Sequence, residues 1–207
     1  MANAVSDHIK YCELPDGLSI LSGSTFHVVS CKASALSESR KFEIFTLLES
    51  NMMEHYQQAW GWDRETKWKE MFSSLSNYIL IVDQSEENER NNEGDLIAFL
   101  HYQFTWDDEE EPEYAVIFCY ELQIHIKYQK QGIGRFLMNI LSHLCIQWKM
   151  KKIMLTVFKS NQEALLFYQK IGFKTDVNSP SKWGHEVLYE ILSCDVTDMN
   201  SFIDHEG

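Results

Sequence analysis

The stretch best suited to chemistry is residues 129–134, which read Gln-Lys-Gln-Gly-Ile-Gly and lie between a strand-like run and an amphipathic helical pattern. A strand that turns through glycines into a helix presents bare backbone N–H groups and the positive end of the helix dipole. Lys127, Lys130 and Arg135 flank this turn with no acidic residue among them, although the net charge of the chain is -13. The stretch predicts a phosphate or pyrophosphate site, with simple tight packing as the alternative.

A second candidate, Glu121, lies in the preceding run of β-branched and aromatic residues, 114–125. Strand periodicity puts it on the same face as Ile117 and Cys119. If helices cover both faces of the sheet, this carboxylate is buried or half-buried and requires a partner or a task. Two alternatives follow: a structural glutamate that faces water or a lysine, and a glutamate that moves protons.

The elements that position these residues follow from periodicity and capping signals. In chain order we predict a strand at 18–33, a helix from Ser37 or Ser39 to about Trp60, a short helix capped by Asp63, strands at 78–82, 96–106 and 114–125, a helix at 132–148, a strand at 152–158, a helix at 161–171 and a strand at 186–193. The first helix should bury one apolar face, made of Phe42, Phe45, Leu48, Met52 and Tyr56. Asn161 is a good cap for the last helix, and Gly172 is placed to end it.

The composition sets limits on the class of protein. A chain of 207 residues with 44% apolar content is expected to form one domain with a proper core. Five widely spaced cysteines, without a Cys-x-x-Cys motif, predict reduced thiols, and the scattered histidines predict no metal site. The absence of an apolar leader in the first 16 residues, and of a long apolar run, predicts a protein that is neither secreted nor membrane-spanning.

The charge distribution indicates which kinds of partner the protein can bind. With 31 acidic and 18 basic side chains, the chain is not expected to bind nucleic acid, which requires clustered lysine and arginine. The acids concentrate in residues 83–95 and 107–113. These two segments are either solvated loops that keep the protein soluble, or a field that attracts a cationic partner.

The motifs then resemble a known family. The pattern Gln-x-x-Gly-x-Gly, followed about thirty residues later by Asn-x-x-Ala-x-x-Phe-Tyr and Gly-Phe, is similar to the acetyl-CoA core of the GNAT acetyltransferases. The runs Trp-Gly-Trp at 60–62, Cys-Tyr-Glu-Leu-Gln at 119–123, the lysine-flanked run at 150–159 and Tyr-Glu-Ile-Leu-Ser at 189–193 resemble the NatD enzymes, which acetylate histone N-termini. The resemblance covers residues 40–193.

This resemblance implies a fold and a co-substrate. The fold is an α/β GNAT fold with a mixed, mostly antiparallel sheet of six to seven strands, splayed at the acetyl-CoA site, and helices on both faces. The implied domain is residues 17–193, between an N-terminal tail, 1–16, and an acidic C-terminal tail, 194–207. The residues implied to bind acetyl-CoA are Leu122, Gln123, Ile124, Lys130, Gln131, Gly132, Ile133, Gly134, Arg135 and Asn161.

The resemblance also implies a mechanism. Glu121 acts as the general base, and a backbone N–H near Leu122 meets the thioester oxygen. Acetyl passes directly to the amine, because none of the cysteines has an activating histidine beside it in sequence. Tyr168 stands where many GNAT enzymes hold a tyrosine general acid, but it also belongs to the apolar face of its helix. Acid catalysis and core packing both remain open for Tyr168.

The implied substrates are histone N-termini that begin Ser-Gly-Arg-Gly. The residues implied to contact them are Tyr56, Trp60, Tyr120, Thr156, Asn178, Ser179 and Tyr189, with Asp107 and Asp108 as carboxylates for the substrate arginine. Thr105 stands where the family pattern has an acid, and core packing is the alternative for Trp60 and Trp62. The resemblance implies a monomer without an auxiliary subunit, in nucleus and cytoplasm. The alternatives are a polyamine-type acetyltransferase and a non-catalytic binder of histone tails.

Overall fold

The computed structural model describes residues 26–83, 93–107 and 114–198. The strands are β1 (Phe26–Lys32), β2 (Asn77–Asp83), β3 (Asp95–Trp106), β4 (Ala115–Ile124), β5 (Lys152–Phe158), β6 (Lys174–Thr175) and β7 (Tyr189–Asp195), and the helices are α1 (Glu38–Ala59), α2 (Arg64–Met71), α3 (Ile133–Gln147) and α4 (Gln162–Lys170). The predicted N-terminal tail, the first half of the predicted strand 18–33, Asp108 and most of both acidic segments lie outside the described residues.

The strands form one seven-stranded sheet in the order β1-β2-β3-β4-β5-β7-β6. β1 pairs antiparallel with β2, and β7 pairs antiparallel with both β5 and β6. β4 and β5 are parallel, and their ladder joins Ile117–Cys119 to Ile153–Leu155. The predicted mixed, mostly antiparallel α/β sheet is confirmed. β6 was not among the predicted elements, since two residues are too few to show a period.

Helix α1 begins and ends where predicted, but its buried face is different. The Ser37 hydroxyl caps it by accepting from the N–H of Arg40 at 3.0 Å. Arg40 is itself buried, and its guanidinium donates to the backbone carbonyls of Glu93 and Gly94, each at 2.7 Å. Phe42 is 58% exposed, so its assignment to the apolar face was wrong. The inward-facing position is occupied by the Arg40 guanidinium, which donates to carbonyls that are distant in the sequence. Hydrophobic periodicity does not predict a buried cation of this kind.

Helix α2 is set by two local signals that the sequence carries. Asp63 caps it, its carboxylate accepting from the N–H groups of Glu65 and Thr66, as predicted. Gly61, just beyond the end of α1, has φ +83°, a conformation that residues with a Cβ adopt at a cost. The turn between the two helices therefore depends on the glycine, and the direction of α2 on the aspartate.

The predicted apolar stripe of α3 is buried. Ile133, Leu137 and Leu141 are at most 1% exposed, and Phe136, Ile140 and Leu144 are also in the core. Spacing of three and four residues gives one continuous face, which explains why this helix was predicted within one residue at each end. No helix in the described ranges has the length and apolar character needed to cross a bilayer.

Contacts divide the described chain into two compact units. One contains residues 26–51, 63–83, 93–101 and 121–134, and the other contains 52–62, 102–107, 114–120 and 135–198. The chain passes from one unit to the other inside α1, β3, β4 and α3, and once between α1 and α2.

The last strand runs further than predicted. β7 ends at Asp195, where the prediction ended at Ser193, and the N–H of Val196 donates to the carbonyl of Lys151. Cys194 is 2% exposed and pairs with Ile153. Cys194 and Asp195, assigned to an acidic tail on the sequence, are therefore part of the sheet.

A buried ion pair fastens the segment after β6 to the start of β5. Lys152 Nζ lies 2.8 Å from Asp176 Oδ2, and the two residues are 7% and 4% exposed. Burial alone would raise the pKa of Asp176, but hydrogen bonds from Lys152, Ser193 and the N–H of Asn178 outweigh it and lower the pKa. The pair contributes stability that is complete above pH ~4, the ordinary aspartate range, and is lost as the pH falls through the lower folded value.

We expect Asp176→Asn to lower the free energy of unfolding by about 3 kcal/mol at pH 7, because it leaves the buried Lys152 ammonium without its counter-ion. Urea denaturation at several pH values measures the loss, which should shrink as the pH falls below 4, where the wild-type carboxyl is also protonated. Asp198→Asn is the matched control, since the Lys174–Asp198 pair is exposed and should be nearly neutral. Equal losses in both variants would contradict the assignment.

Candidate active site

The prediction that Glu121 is buried is confirmed, and the structure supplies its partner. The residue is 5% exposed on β4, and its Oε1 lies 2.8 Å from Nζ of Lys67 on α2. Its Oε2 accepts a hydrogen bond from Nε2 of Gln123 at 2.9 Å. Of the two sequence alternatives, the geometry realises the glutamate that faces a lysine, and this contact leaves the proton-transfer role open, because a carboxylate has further lone pairs.

Lys67 is unusual among lysines because it is only 7% exposed. Its Nζ also lies 2.7 Å from Oε1 of Glu70, one turn further along α2. Burial opposes the charged form of Lys67, but the negative charges and hydrogen bonds of Glu121 and Glu70 outweigh burial and raise its pKa. Sequence reasoning missed this residue, since α2 reads Arg-Glu-Thr-Lys-Trp-Lys-Glu-Met and looks like a solvated helix.

The side chain of Gln123 is buried and makes its hydrogen bonds within the protein. It donates to Glu121 and accepts from Nδ2 of Asn51 at 3.1 Å, and Asn51 also donates to the carbonyl of Ile124. Gln123 is 5% exposed. Any contact of this predicted cofactor residue with acetyl-CoA would therefore use its backbone, whereas Leu122 and Ile124 on either side are half-buried.

The glycine loop has the backbone geometry of an anion cradle. Lys130 has φ 60° and Gly132 has φ 88°, so two residues of the loop have left-handed backbone conformations before α3 begins at Ile133. The first turn of α3 carries no acidic residue, and Gln131 braces the loop by donating to the carbonyl of Lys127. Exposed cationic side chains, a helix N-terminus and a glycine turn are features that suit a pyrophosphate, and the phosphate site stays a prediction.

Two further predicted residues lie on α4 or at its start. Asn161 caps α4 by accepting from the N–H of Ala164 at 3.1 Å, and its Nδ2 approaches Met52 Sδ at 3.9 Å. Tyr168 is 8% exposed and its ring packs against Phe167 and Phe173. Core packing is thus the alternative that the geometry supports for Tyr168.

Two predicted substrate residues from distant parts of the sequence, Tyr56 and Tyr189, both have ring contacts with a third, Trp60. Tyr56, Trp60 and Tyr189 come from α1, the segment after it and β7, and Phe158 from the end of β5 joins them. Ring centroids lie 4.9 Å apart for Tyr56 and Phe158, 4.7 Å for Trp60 and Phe158, and 5.2 Å for Trp60 and Tyr189. Trp60 is 54% exposed, so it is not a core residue. Phe158 was missed, although it ends the lysine-flanked run.

The other predicted substrate residues are distributed over the same unit. Thr156 is half-buried on β5, opposite Ile191 of β7, and Tyr120 packs on Phe118 of β4. Asn178 Nδ2 donates to the carbonyl of Asp107 at 3.2 Å. A cavity of about 570 Å³ is lined by Asp107, Asn178, Lys152 and Asp176 among others.

A carboxylate that the sequence did not single out, Glu190, follows Tyr189 directly. It accepts from the hydroxyls of Ser179 and Ser181 and lies 3.0 Å from Lys159 Nζ. Burial opposes its ionisation, but the hydrogen bonds from Ser181, Lys159 and Ser179 lower the pKa of Glu190. Ser179 is fully buried, so its hydroxyl shapes this loop and does not reach a substrate.

The next question is whether side chains in the described part of the chain could bind a metal ion. There, no three histidine, cysteine, aspartate or glutamate residues are grouped so that they could hold a metal ion.

The seven-stranded mixed sheet, with a glycine loop between β4 and α3, defines a GNAT-type acyltransferase fold. The family described as Acetyltransferase (GNAT) matches residues 43–173, and the chain belongs to this family. The description of this family names acetyl transfer as its reaction.

Solved structures share the fold at low sequence identity. Arabidopsis thaliana NAA60 in complex with acetyl-CoA has a TM-score of 0.61 at 13% identity, covering 84% of this chain and 99% of that one. The NatC complex bound to Gag peptide and CoA has a TM-score of 0.57 at 15% identity, covering 82% and 98%. PaiA N-acetyltransferase from Thermoplasma acidophilum, with coenzyme A, has a TM-score of 0.55 at 14% identity, covering 82% and 99%.

Curated relatives match a shorter stretch. The spermine/spermidine N(1)-acetyltransferase of Bacillus subtilis strain 168 is 30% identical over 83 residues, which are 40% of this chain. The chain spans about half the length of that relative, 55%.

The loop geometry generates a prediction about acetyl-CoA affinity. Gly132→Ala puts a Cβ at φ 88°, which costs about 1 kcal/mol or more and displaces the amides that would face the pyrophosphate. We expect acetyl-CoA to bind about tenfold more weakly, as measured by isothermal titration calorimetry. Gly94→Ala, at φ 68° in another loop, should lose stability but keep its affinity. Unchanged affinity in Gly132→Ala would remove the loop from the binding site.

Proposed function

We propose that this GNAT acetyltransferase is a protein N-terminal acetyltransferase of the NatD type, acting on core histone chains that begin Ser-Gly-Arg-Gly. The observation that carries the proposal is the aromatic group of Tyr56, Trp60, Phe158 and Tyr189. The NatD resemblance assigns three of these residues to the substrate, and they come from segments more than a hundred residues apart. Their contact around one ring, with Trp60 exposed, supports a shared role at a surface.

The chemistry suits a buried glutamate. A peptide α-amine has a pKa of about 7.7–8.0, so a tenth or more is already neutral at pH ~7, whereas a lysine side chain is almost wholly charged. The neutral amine nitrogen attacks the thioester carbonyl carbon, and the C–N bond forms as the C–S bond breaks. The amine proton passes to Glu121, directly or through one water, and CoA leaves as the thiolate. A backbone N–H near Leu122 is proposed to stabilise the thioester oxygen as its charge develops.

The short side chains of a Ser-Gly N-terminus suit a space bordered by aromatic rings. For the arginine at the third position, the proposed partner is Asp107, with its neighbour Asp108, which lies outside the described residues. Asp107 Oδ1 already accepts from the N–H of Tyr114, a contact that would orient its other oxygen toward an incoming guanidinium. Thr105 replaces the acid of the family pattern, so Asp107 carries more of this role here.

The proposal includes partners and location. The partners are histone tails, without nucleic acid, membrane or auxiliary subunit, and the protein acts as a monomer. It works where newly made histones and chromatin are found, in cytoplasm and nucleus.

A polyamine acetyltransferase is the second candidate, because the Bacillus subtilis relative named above has that activity and an acidic chain also suits a polycation. A non-catalytic binder of histone tails is a third and weaker possibility, since it gives no reason for an acetyl-CoA loop. Calorimetry with peptide and with acetyl-CoA separates it from the enzymes, because such a binder would take up the peptide alone.

The first test is mass spectrometry of the peptide Ser-Gly-Arg-Gly-Lys-Gly after incubation with the protein and acetyl-CoA. We expect acetate on the α-amine only, located by fragment ions, and no product from a peptide whose α-amine is already blocked. The peptide Ser-Gly-Ala-Gly-Lys-Gly is the matched control for the arginine. Acetylation of spermidine without acetylation of the peptide would replace the proposal with the second candidate.

The general base is tested by Glu121→Gln. We expect kcat to fall by about a hundredfold or more, since the amide cannot accept the proton, while acetyl-CoA affinity stays near wild type. The fold should survive, because Lys67 keeps Glu70 as its counter-ion. Initial-rate assays at several substrate concentrations measure kcat and KM separately. Wild-type turnover in this variant would exclude Glu121 from the mechanism.

A further inference from the structure

The charges around Glu121 form a group of three, which we call the carboxylate–lysine–carboxylate triad: Glu121, Lys67 and Glu70. Lys67 Nζ lies 2.8 Å from one carboxylate and 2.7 Å from the other. The side chains of Glu121 and Lys67 are 4% and 8% exposed, whereas that of Glu70 is 39% exposed. One cation at the interior therefore has one buried and one solvent-facing partner.

Two buried titratable groups, His101 and Tyr78, interact with the charges of Lys67 and Glu121, and both are neutral near pH 7. His101 of β3 bonds to Ser76, and burial together with the Lys67 charge lowers its pKa to about 3. Tyr78 of β2 donates to the carbonyl of Met71, and burial and the Glu121 charge raise its pKa. Burial likewise raises the pKa of Cys31 of β1 to about 11. The neutral amide of Gln123 is the neighbour on β4 itself.

The triad consequently carries two negative charges and one positive charge. In a buried pair of Glu121 and Lys67 alone, a proton arriving on the carboxylate would leave an ammonium buried without a counter-ion, which is costly. Glu70 changes this balance, since Lys67 remains paired with it after Glu121 is protonated. When Glu121 takes up a proton, the net charge of the triad changes from minus one to zero. The buried ammonium of Lys67 keeps a counter-ion in both states.

We propose that Lys67 and Glu70 are positioning residues that allow Glu121 to accept and release the amine proton during acetyl transfer. This inference rests on the proposed role of Glu121 as base. Lys67 holds the carboxylate ionised and fixed between substrate cycles. Glu70 takes over the ammonium while the proton is on Glu121.

The proposal predicts opposite effects for two substitutions. Lys67→Met removes the ammonium, so Glu121 keeps its proton to higher pH, and the acidic limb of kcat/KM should move up by about one pH unit. Glu70→Gln removes one of the two carboxylates beside the ammonium and strengthens its interaction with Glu121, so the limb should move down by a similar amount, with a lower plateau rate. A residue with a merely structural role would lower activity in both variants without moving the limb in opposite directions.

Controls come from the same helix. Lys67→Arg keeps the cation and should keep the limb near its wild-type position. Glu65→Gln removes a carboxylate whose side chain is 79% exposed and pairs with Lys69, and it should leave the profile unchanged. A shift in Glu65→Gln equal to that in Glu70→Gln would overturn the proposal, because it would reduce the effect to general charge on α2.

A second measurement does not depend on acetyl transfer. NMR titration of the protein labelled with ¹³C at glutamate carboxyls, with the Glu121 signal assigned by its loss in Glu121→Gln, follows this carboxyl directly. Its titration midpoint should rise in Lys67→Met and fall in Glu70→Gln; midpoints that move together or stay fixed would overturn the triad. If the histone peptide is not acetylated but the midpoints diverge, only the proposed function fails. If the peptide is acetylated and the midpoints do not diverge, only this inference fails.

Discussion

The ion pair between Glu121 and Lys67 is the contact on which the unit that contains it depends. The two opposite charges are both nearly removed from solvent and stabilise each other, so the middle of β4 and one face of α2 are held together. This contact requires α2 to start at a defined residue, and local sequence signals at the start of α2 meet that requirement. A cap at Asp63 and a left-handed turn at Gly61 determine where the helix starts, and hence where the ammonium arrives.

Much of the fold could be predicted from the sequence because its signals are local. The apolar stripe of α3 repeats at helical spacing, the caps at Asp63 and Asn161 precede the helices they serve, and the alternation in β4 placed Glu121 on a buried face. In each case the deciding residues are within one or two turns of each other in the chain. The family motifs are local patterns of the same kind, and they predicted the acetyl-CoA loop.

The parts that were missed depend on distant partners. Arg40 replaces Phe42 inside α1 because carbonyls of residues 93 and 94 need donors, and no periodicity reports such a need. Lys67 is 54 residues from Glu121 in a helix whose composition reads as solvated. Glu190 is held by two serines and a lysine that a strand pattern does not single out. Sequence reasoning predicted that Glu121 needs a partner, but it could not identify which lysine.

The way the chain passes between its two units has a consequence for its evolution and its genetics. Four of the five passages occur within a helix or a strand, in α1, β3, β4 and α3. Neither unit corresponds to a continuous piece of gene, so neither can be cloned, exchanged or lost on its own without cutting a strand or helix of the other. The two are therefore inherited together, because an exchange of one whole unit would require several crossovers within shared helices and strands.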